Sequence, residues 1–124
     1  MMELKDLDPS FPFFSQLEDA GEGPITVINT FVAPEGGVEA SLEAWSQEAA
    51  GMRAQPGFIS AQLYCGVGKG SRLLTNVAVW ESVSALQEAF SQPQFQEMLS
   101  LPPEGSVAYP ILMRKHAVAG ICVA

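Results

Sequence analysis

Residues 73–81 constrain the fold of this 124-residue chain more than any other stretch. They read Leu-Leu-Thr-Asn-Val-Ala-Val-Trp-Glu, and the side chains of a strand alternate between its two faces. One face therefore carries Leu74, Asn76, Ala78 and Trp80, and the other carries Leu73, Thr75, Val77 and Val79. Both faces are largely apolar, which predicts an interior strand that is covered twice. Because an unpaired buried amide costs about 1–3 kcal/mol, Asn76 needs a partner there.

The remaining segments give the element order β-α-β-β-α-β. Further strands are predicted at residues 25–33, 58–65 and 107–116. A helix is predicted from apolar residues at helical spacing, namely Val38, Leu42, Trp45, Ala49 and Met52. The neighbouring polar residues Glu39, Glu43, Gln47 and Glu48 are expected largely outside that stripe. Ser82 is a candidate N-cap of a helix through Phe90, and Pro93 begins another short helix. The order predicts an α+β, ferredoxin-like fold with a four-stranded antiparallel sheet.

The chain divides into an N-terminal arm (1–24), one domain (25–118) and a C-terminal tail (119–124). The arm is a poor helix around Pro9 and Pro12, and its phenylalanines are expected to lie on the body or on a neighbouring subunit. In the last strand, Pro110 predicts an edge position or a bulge. Two helical segments cover only one face of a four-stranded sheet. The other apolar face predicts a homodimer in which two sheets pack face to face.

Charge and composition exclude several classes of partner. The net charge is −8 and the six Lys and Arg residues form no run, so neither nucleic acid nor an anionic membrane is an expected partner. No apolar run reaches the roughly 20 residues that span a bilayer. The opening Met-Met-Glu-Leu-Lys-Asp has no features of a secretory signal. With Cys65 and Cys122 read as reduced thiols, a cytoplasmic location is expected.

Few residues are available for catalysis. The chain has one histidine, His116, and two distant cysteines, so no metal-ligand cluster of recognisable spacing is present. No pair of carboxylates lies on an apolar strand face, which leaves catalysis by two buried acids unsupported. The glycine-rich residues 66–71 connect two strands, which favours a hairpin turn over a phosphate loop. Nothing in the sequence indicates a flavin, nicotinamide or nucleotide cofactor.

The best remaining chemical groups lie on the strand of residues 73–81. Asn76 and Trp80 share a face, Tyr64 lies on the neighbouring strand, and Asn29 on the first strand is expected in the same cavity. Inward-facing Trp45, Leu86 and Phe90 are expected to contact a substrate there. The alternative is that Asn76 bonds a buried backbone group and Trp80 fills the core, as most buried polar and aromatic groups do.

Several motifs resemble the antibiotic biosynthesis monooxygenase family. They are Gln55-Pro56-Gly57-Phe58, Asn76-Val77-Ala78-Val79-Trp80-Glu81-Ser82, Trp45 in the first helix and the Pro93-x-Phe95 pair. The resemblance covers about residues 25–118. It implies a dimeric α+β barrel, which agrees with the homodimer expected from the apolar sheet face.

The resemblance implies roles for individual residues. In the quinone-forming oxygenases of the family, an Asn and a Trp four residues later lie in the active site, and Asn76 and Trp80 match both. Leu86 occupies the place of a helix tyrosine, and Tyr64 that of a strand histidine. In the haem-degrading branch Asn29 matches an Asn of the first strand. The Trp and His of that branch fall near Ala89 and Leu99 here, so haem degradation is disfavoured.

Residues and resemblance together predict a cofactor-independent monooxygenase. It would oxidise an electron-rich phenol or anthrone to a quinone, with dioxygen as co-substrate and no metal or flavin. Asn76 and Trp80 would donate hydrogen bonds to the developing oxyanion. Because Asn is no base near neutral pH, proton removal would fall to Tyr64, to water or to the acidity of the substrate. The alternative is a non-catalytic dimeric module that binds a small apolar ligand or acts as a scaffold.

Overall fold

The computed structural model, which describes residues 2–124, confirms the α+β ferredoxin-like fold. Its strands are β1 (Glu3–Leu4), β2 (Ile25–Val32), β3 (Phe58–Cys65), β4 (Leu73–Trp80) and β5 (Val107–Met113). Its helices are α1 (Phe13–Asp19), α2 (Val38–Arg53), α3 (Val83–Phe90) and α4 (Pro93–Met98). None of these helices is long and apolar enough to cross a bilayer.

The sheet has five strands in the order β1-β5-β2-β4-β3, one more than the sequence predicts. The additional strand is β1 of the arm, which pairs in parallel with β5 through Glu3 and Val107. The other pairings are antiparallel. A strand of two residues is too short to show the alternation of apolar and polar side chains by which strands are recognised in a sequence. Pairing with β1 ends at Ala108, so Pro110 lies where β5 is an edge, as expected.

Strand β4 is interior, as its sequence predicts. It pairs with β2 along its whole length, from Leu73 opposite Val32 to Trp80 opposite Ile25, and with β3 on its other side. Its Leu74 face is buried beneath the helices, where Leu74 and Trp80 are 1% and 2% exposed. The opposite face is not covered within one chain, and Leu73 there is 49% exposed.

Local sequence signals place the helices over the sheet. The Ser82 hydroxyl accepts a hydrogen bond from the Ala85 amide at 3.0 Å, which confirms Ser82 as the N-cap of α3. Between α2 and β3, Gly57 has a φ of +86°, and a Cβ there would lie 2.4 Å from the Ala85 Cβ. Only glycine fits both this conformation and this close approach of the turn to α3.

The arm lies on the body, but it is more regular than expected. Helix α1 begins directly after Pro12, because a proline costs a helix nothing before its first hydrogen-bonded turn. The Leu112 amide of β5 donates to Gln16 Oε1 at 2.8 Å. The Arg114 guanidinium donates to the carbonyls of Glu22, Pro24 and Ala20. These bonds fasten α1 to β5, and the C-terminal end of the arm to Arg114 directly after β5.

Candidate active site

A cavity of about 560 Å³ lies between the sheet and the helices. Its walls come from all five strands and all four helices. Most of the lining is apolar, with Phe31, Phe58, Phe95 and Met52 among the larger side chains. This volume and composition are typical of a site for a small organic ligand.

Two amides face each other on the floor of this cavity. Asn29 of β2 and Asn76 of β4 are directly opposed in the antiparallel pairing, so their Cβ atoms lie about 4.5–5.5 Å apart. Both side chains line the cavity, and both Oδ1 atoms are buried with no hydrogen-bond partner among the described residues. The alternative, in which Asn76 bonds a buried backbone group, is therefore wrong for the Oδ1 atom. Two buried acceptors without hydrogen bonds lower the stability of the fold. A bound ligand that donates hydrogen bonds to them would restore that stability.

Trp80 lines the same cavity, four residues along β4 from Asn76. The indole packs edge-to-face against Phe58, with ring centroids 5.4 Å apart and planes at 90°. It lines the cavity while remaining 2% exposed. The edge-to-face contact fixes the ring, so the direction of its N–H is set before a ligand arrives.

Glu48 of α2 is a cavity residue, although its polar side chain is expected largely outside the apolar stripe of the helix. It lines the cavity, and its Oε1 is buried without a hydrogen-bond partner in the described chain. Burial raises the pKa of Glu48 from 4.5 to about 7. Its position was available in the sequence, since it lies three residues after Trp45 and four before Met52 and so shares their helix face.

Glu48 is also the only ionisable side chain among the cavity-lining residues that the structure describes. The remaining polar groups are neutral: the two amides, Ser41, Ser91, Gln87 and Gln96. No lysine, arginine or histidine reaches this wall, and residues 2–124 contain no cluster of three or more metal-ligating side chains. Any charge in the described part of the site therefore comes from the carboxyl group of Glu48.

The expected placement of Tyr64 beside Asn76 is wrong. Strand β3 contains a bulge, because Phe58 pairs with Trp80 but Ser60 already pairs with Val79. The extra residue shifts the alternation, so Leu63 lies opposite Asn76 and Tyr64 lies opposite Thr75 on the other face. Tyr64 is 59% exposed there. It cannot act as a base in the cavity of its own chain.

The other residues expected in the cavity do line it. Asn29, Trp45, Leu86 and Phe90 all line the cavity together with Asn76 and Trp80. The arm adds Phe13, Phe14 and Leu17, which were not expected to reach this site. Apolar composition alone carries no signal that would direct these residues to the cavity.

Comparison with known proteins agrees with this architecture. Residues 24–100 match the family model described as antibiotic biosynthesis monooxygenase. Among curated protein sequences, none matches the chain significantly. Several solved structures share the fold. SnoaB, a cofactor-independent oxygenase from Streptomyces nogalater, is 23% identical with a TM-score of 0.70 over 79% of this chain and 98% of its own.

Two further structures are similar. A provisionally assigned monooxygenase from Shewanella loihica PV-4 is 32% identical, with a TM-score of 0.62 over 79% of this chain and 99% of its own. Rv0793 from Mycobacterium tuberculosis is 20% identical, with a TM-score of 0.63 over 77% of this chain and 98% of its own.

Proposed function

The chain belongs to the antibiotic biosynthesis monooxygenase family, and we propose that it is a cofactor-independent monooxygenase. It would oxidise an electron-rich phenol or anthrone to a quinone with dioxygen. The observation that carries this proposal is the opposed pair of buried, unpartnered amides, Asn29 and Asn76, in an apolar cavity. Support also comes from the fold shared with SnoaB, which is described as cofactor-independent.

In the proposed reaction the substrate supplies all the electrons. Loss of a proton gives an electron-rich anion, which transfers one electron to dioxygen, and the substrate radical and superoxide then form a C–O bond. After protonation, the carbon-bound hydroperoxide loses water as the C–H proton leaves, the O–O bond breaks and a C=O bond forms. One CH₂ group and one O₂ thus become one C=O group and one H₂O, and no external reductant is needed.

The two amides and the indole serve different stages of this sequence. Each Oδ1 can accept a hydrogen bond from a substrate hydroxyl, whereas each amide N–H and the Trp80 N–H can donate to the oxyanion that forms. A donor held in place inside an apolar site contributes about 2.7–4 kcal/mol to the stability of such a charge. Trp45, Leu86 and Phe90 would hold the rings of the substrate against this polar floor.

The test is oxygen uptake with 1,8-dihydroxyanthrone. Asn76→Ala and Trp80→Phe should each lower kcat/KM by about 10²–10³, as expected for loss of an oxyanion donor. Tyr64→Phe is the matched control, because its hydroxyl lies on the opposite sheet face and its loss should leave the rate unchanged. Absence of oxygen uptake above background in the wild type, or full activity in both cavity variants, would contradict the proposal.

A second candidate is a ligand-binding module without catalysis, and the largely apolar cavity favours it. The same probe separates the two functions. Quenching of tryptophan fluorescence by the anthrone at micromolar concentration, without oxygen consumption, would identify a binding module.

We further propose that the protein acts as a homodimer in the cytoplasm. The sheet face opposite the helices has no cover within one chain, and the hydroxyls of Thr30 and Thr75 bond each other across it at 2.9 Å. Both cysteines are free and exposed, which supports a reducing compartment. With a net charge of −8, nucleic acid and anionic membranes are not proposed as partners.

A further inference from the structure

We propose that Glu48 is the proton acceptor of the site, and that it takes the hydroxyl proton of a neutral, hydroxyl-bearing aromatic substrate. This inference rests on the proposed oxygenase function and names both a catalytic residue and a feature of the substrate. It fills the role that Tyr64 cannot fill, since Tyr64 lies on the far side of the sheet. No other ionisable group of the described chain lines the cavity.

The position of Glu48 suits proton transfer to a bound ligand. The carboxyl group belongs to the helix wall, across the cavity from the amide floor on β2 and β4. A ring system bound between them would have the two amides on one side and the carboxyl group on the other. Because Oε1 is buried and has no protein partner, a substrate hydroxyl is the hydrogen-bond donor that it lacks.

The electrostatic surroundings of Glu48 favour a neutral substrate. Among residues 2–124, no charged group from any of the five strands or from α1, α3 or α4 lines the cavity. On α2 itself, Glu39, Glu43 and Arg53 lie outside the lining. No cation is therefore present to bind a carboxylated or phosphorylated ligand, and an ionised Glu48 would repel one. A hydroxyl group, by contrast, can bond either form of the carboxyl group.

The proton affinity of Glu48 agrees with this role. Burial raises the pKa of Glu48 to about 7, so near neutral pH both the carboxylate and the carboxylic acid are populated. A base whose pKa lies near the working pH is the most effective in accepting and returning a proton. An exposed glutamate, with a pKa near 4.3, would be a much weaker base toward a phenol.

The proton balance closes within one turnover. The Glu48 carboxylate takes the O–H proton of the enol (anthrol) tautomer of the substrate, in which the former CH₂ carbon already carries a single C–H. This leaves an oxyanion whose negative charge is shared with that carbon, and a neutral carboxylic acid. After the anion has reacted with dioxygen, the carboxylic acid returns its proton to the carbon-bound peroxide anion. Glu48 is then a carboxylate again, and loss of water from the hydroperoxide completes the reaction.

The decisive measurement is the ionisation of bound 1,8-dihydroxyanthrone, recorded anaerobically by its absorption spectrum from pH 5.5 to 8.5. In the wild type, the anion band of the bound probe should appear at pH values at which the free probe in water is still neutral. Glu48→Gln should bind the probe within about threefold of the wild-type Kd, yet show the neutral band throughout. Glu48→Asp should keep a weakened anion band. Glu43→Gln, an exposed change on the same helix, is the control and should match the wild type.

Aerobic turnover adds a second readout. Glu48→Gln should lower kcat by about 10²–10⁴ and lose the rise in rate between pH 6 and 8. An unchanged anion band and pH profile in Glu48→Gln would overturn the role of Glu48 and leave the oxygenase intact. A Glu48-dependent anion band without oxygen uptake would support Glu48 as proton acceptor and overturn the oxygenase. If wild type and Glu48→Gln both bind the probe in its neutral form, Glu48 is not the acceptor.

Discussion

At the residue scale, the burial of Glu48 is decided by its angle around α2 and not by its hydropathy. The positions three residues before it and four after it, Trp45 and Met52, also line the cavity. A carboxylate on the inner face of a helix is an exception to binary patterning, and such exceptions concentrate at functional sites. An inner helix face that is identified from apolar residues alone therefore leaves out Glu48, whose pKa is raised by burial.

The altered pKa of Glu48 predicts a pH-dependent stability. The folded state binds the Glu48 proton more tightly than the unfolded state, with pKa values of about 7 and 4.5. This contribution is complete below the unfolded pKa and is lost as the pH rises through about 7. Between pH 5.5 and 8, the wild type should lose on the order of 1–2 kcal/mol of unfolding free energy that Glu48→Gln does not lose.

Urea unfolding of both proteins at the two pH values measures that difference. The difference in unfolding free energy between the wild type and Glu48→Gln is the quantity to compare, because the titration of the other acidic residues contributes equally to both proteins. Glu43→Gln should follow the wild type at both values. Parallel curves for wild type and Glu48→Gln would show that the carboxyl group is solvated in the folded protein.

Tyr64 shows why the face of a strand residue is hard to predict. A strict alternation from Phe58 would put Tyr64 on the same face as Phe58. The bulge between Phe58 and Ser60 reverses the face of every residue after it. Nothing in Phe-Ile-Ser-Ala marks a bulge, which the packing of Phe58 against Trp80 stabilises. Asn76 and Trp80 were placed correctly because β4 itself pairs without interruption against β2.

At the element scale, the sequence predicts the helices and strands of the domain well and those of the arm poorly. Ser82 as N-cap, Gly57 in the turn directly before β3 and the alternation in β4 are local signals that tertiary packing reinforces. Helix α1 has no such support, since it buries no residue completely and follows a proline-rich stretch. Its place depends on contacts with β5, which is about 90 residues away in the chain.

Gln16 should be the residue that holds α1 against β5. Its Oε1 accepts from the Leu112 amide at 2.8 Å, and its Nε2 donates to the Phe11 carbonyl at 2.9 Å. Gln16→Ala leaves the Leu112 amide without a partner, which should cost about 1–3 kcal/mol. Hydrogen exchange at Leu112 should accelerate at least tenfold, whereas Gln47→Ala, an exposed change on α2, should leave it unaltered. Unchanged protection of Leu112 would show that the arm is held by its apolar contacts alone.

At the scale of the whole molecule, the two faces of the sheet have different environments. The helices enclose one face and form the cavity, while the other face carries Thr30, Thr75, Val77 and Val79 without cover from the same chain. The sequence predicts that both faces of β4 are covered. Within one chain only the face toward the helices is covered. The alternation of side chains along the strands indicates that both faces are apolar. It does not indicate what covers the second face.

The proposed homodimer predicts a specific mass. Light scattering at micromolar concentration should give twice the 13.2 kDa of one chain. Val77→Lys places a charge in the centre of the open sheet face and should give the mass of a single chain, because burying an unpaired ammonium group is costly. Val67→Lys, at the fully exposed tip of the β3–β4 turn, should stay dimeric. A monomeric wild type would contradict the proposal.

The arm separates two properties of the molecule that evolution can then vary independently. The family match spans residues 24–100 and includes the amides, the indole and Glu48, whereas Phe13, Phe14 and Leu17 lie before it. Substitutions in α1 can reshape the wall of the cavity without altering the strands that carry Asn29, Asn76 and Trp80. Ligand preference and the polar floor of the cavity can therefore change separately, because they belong to different segments of the chain.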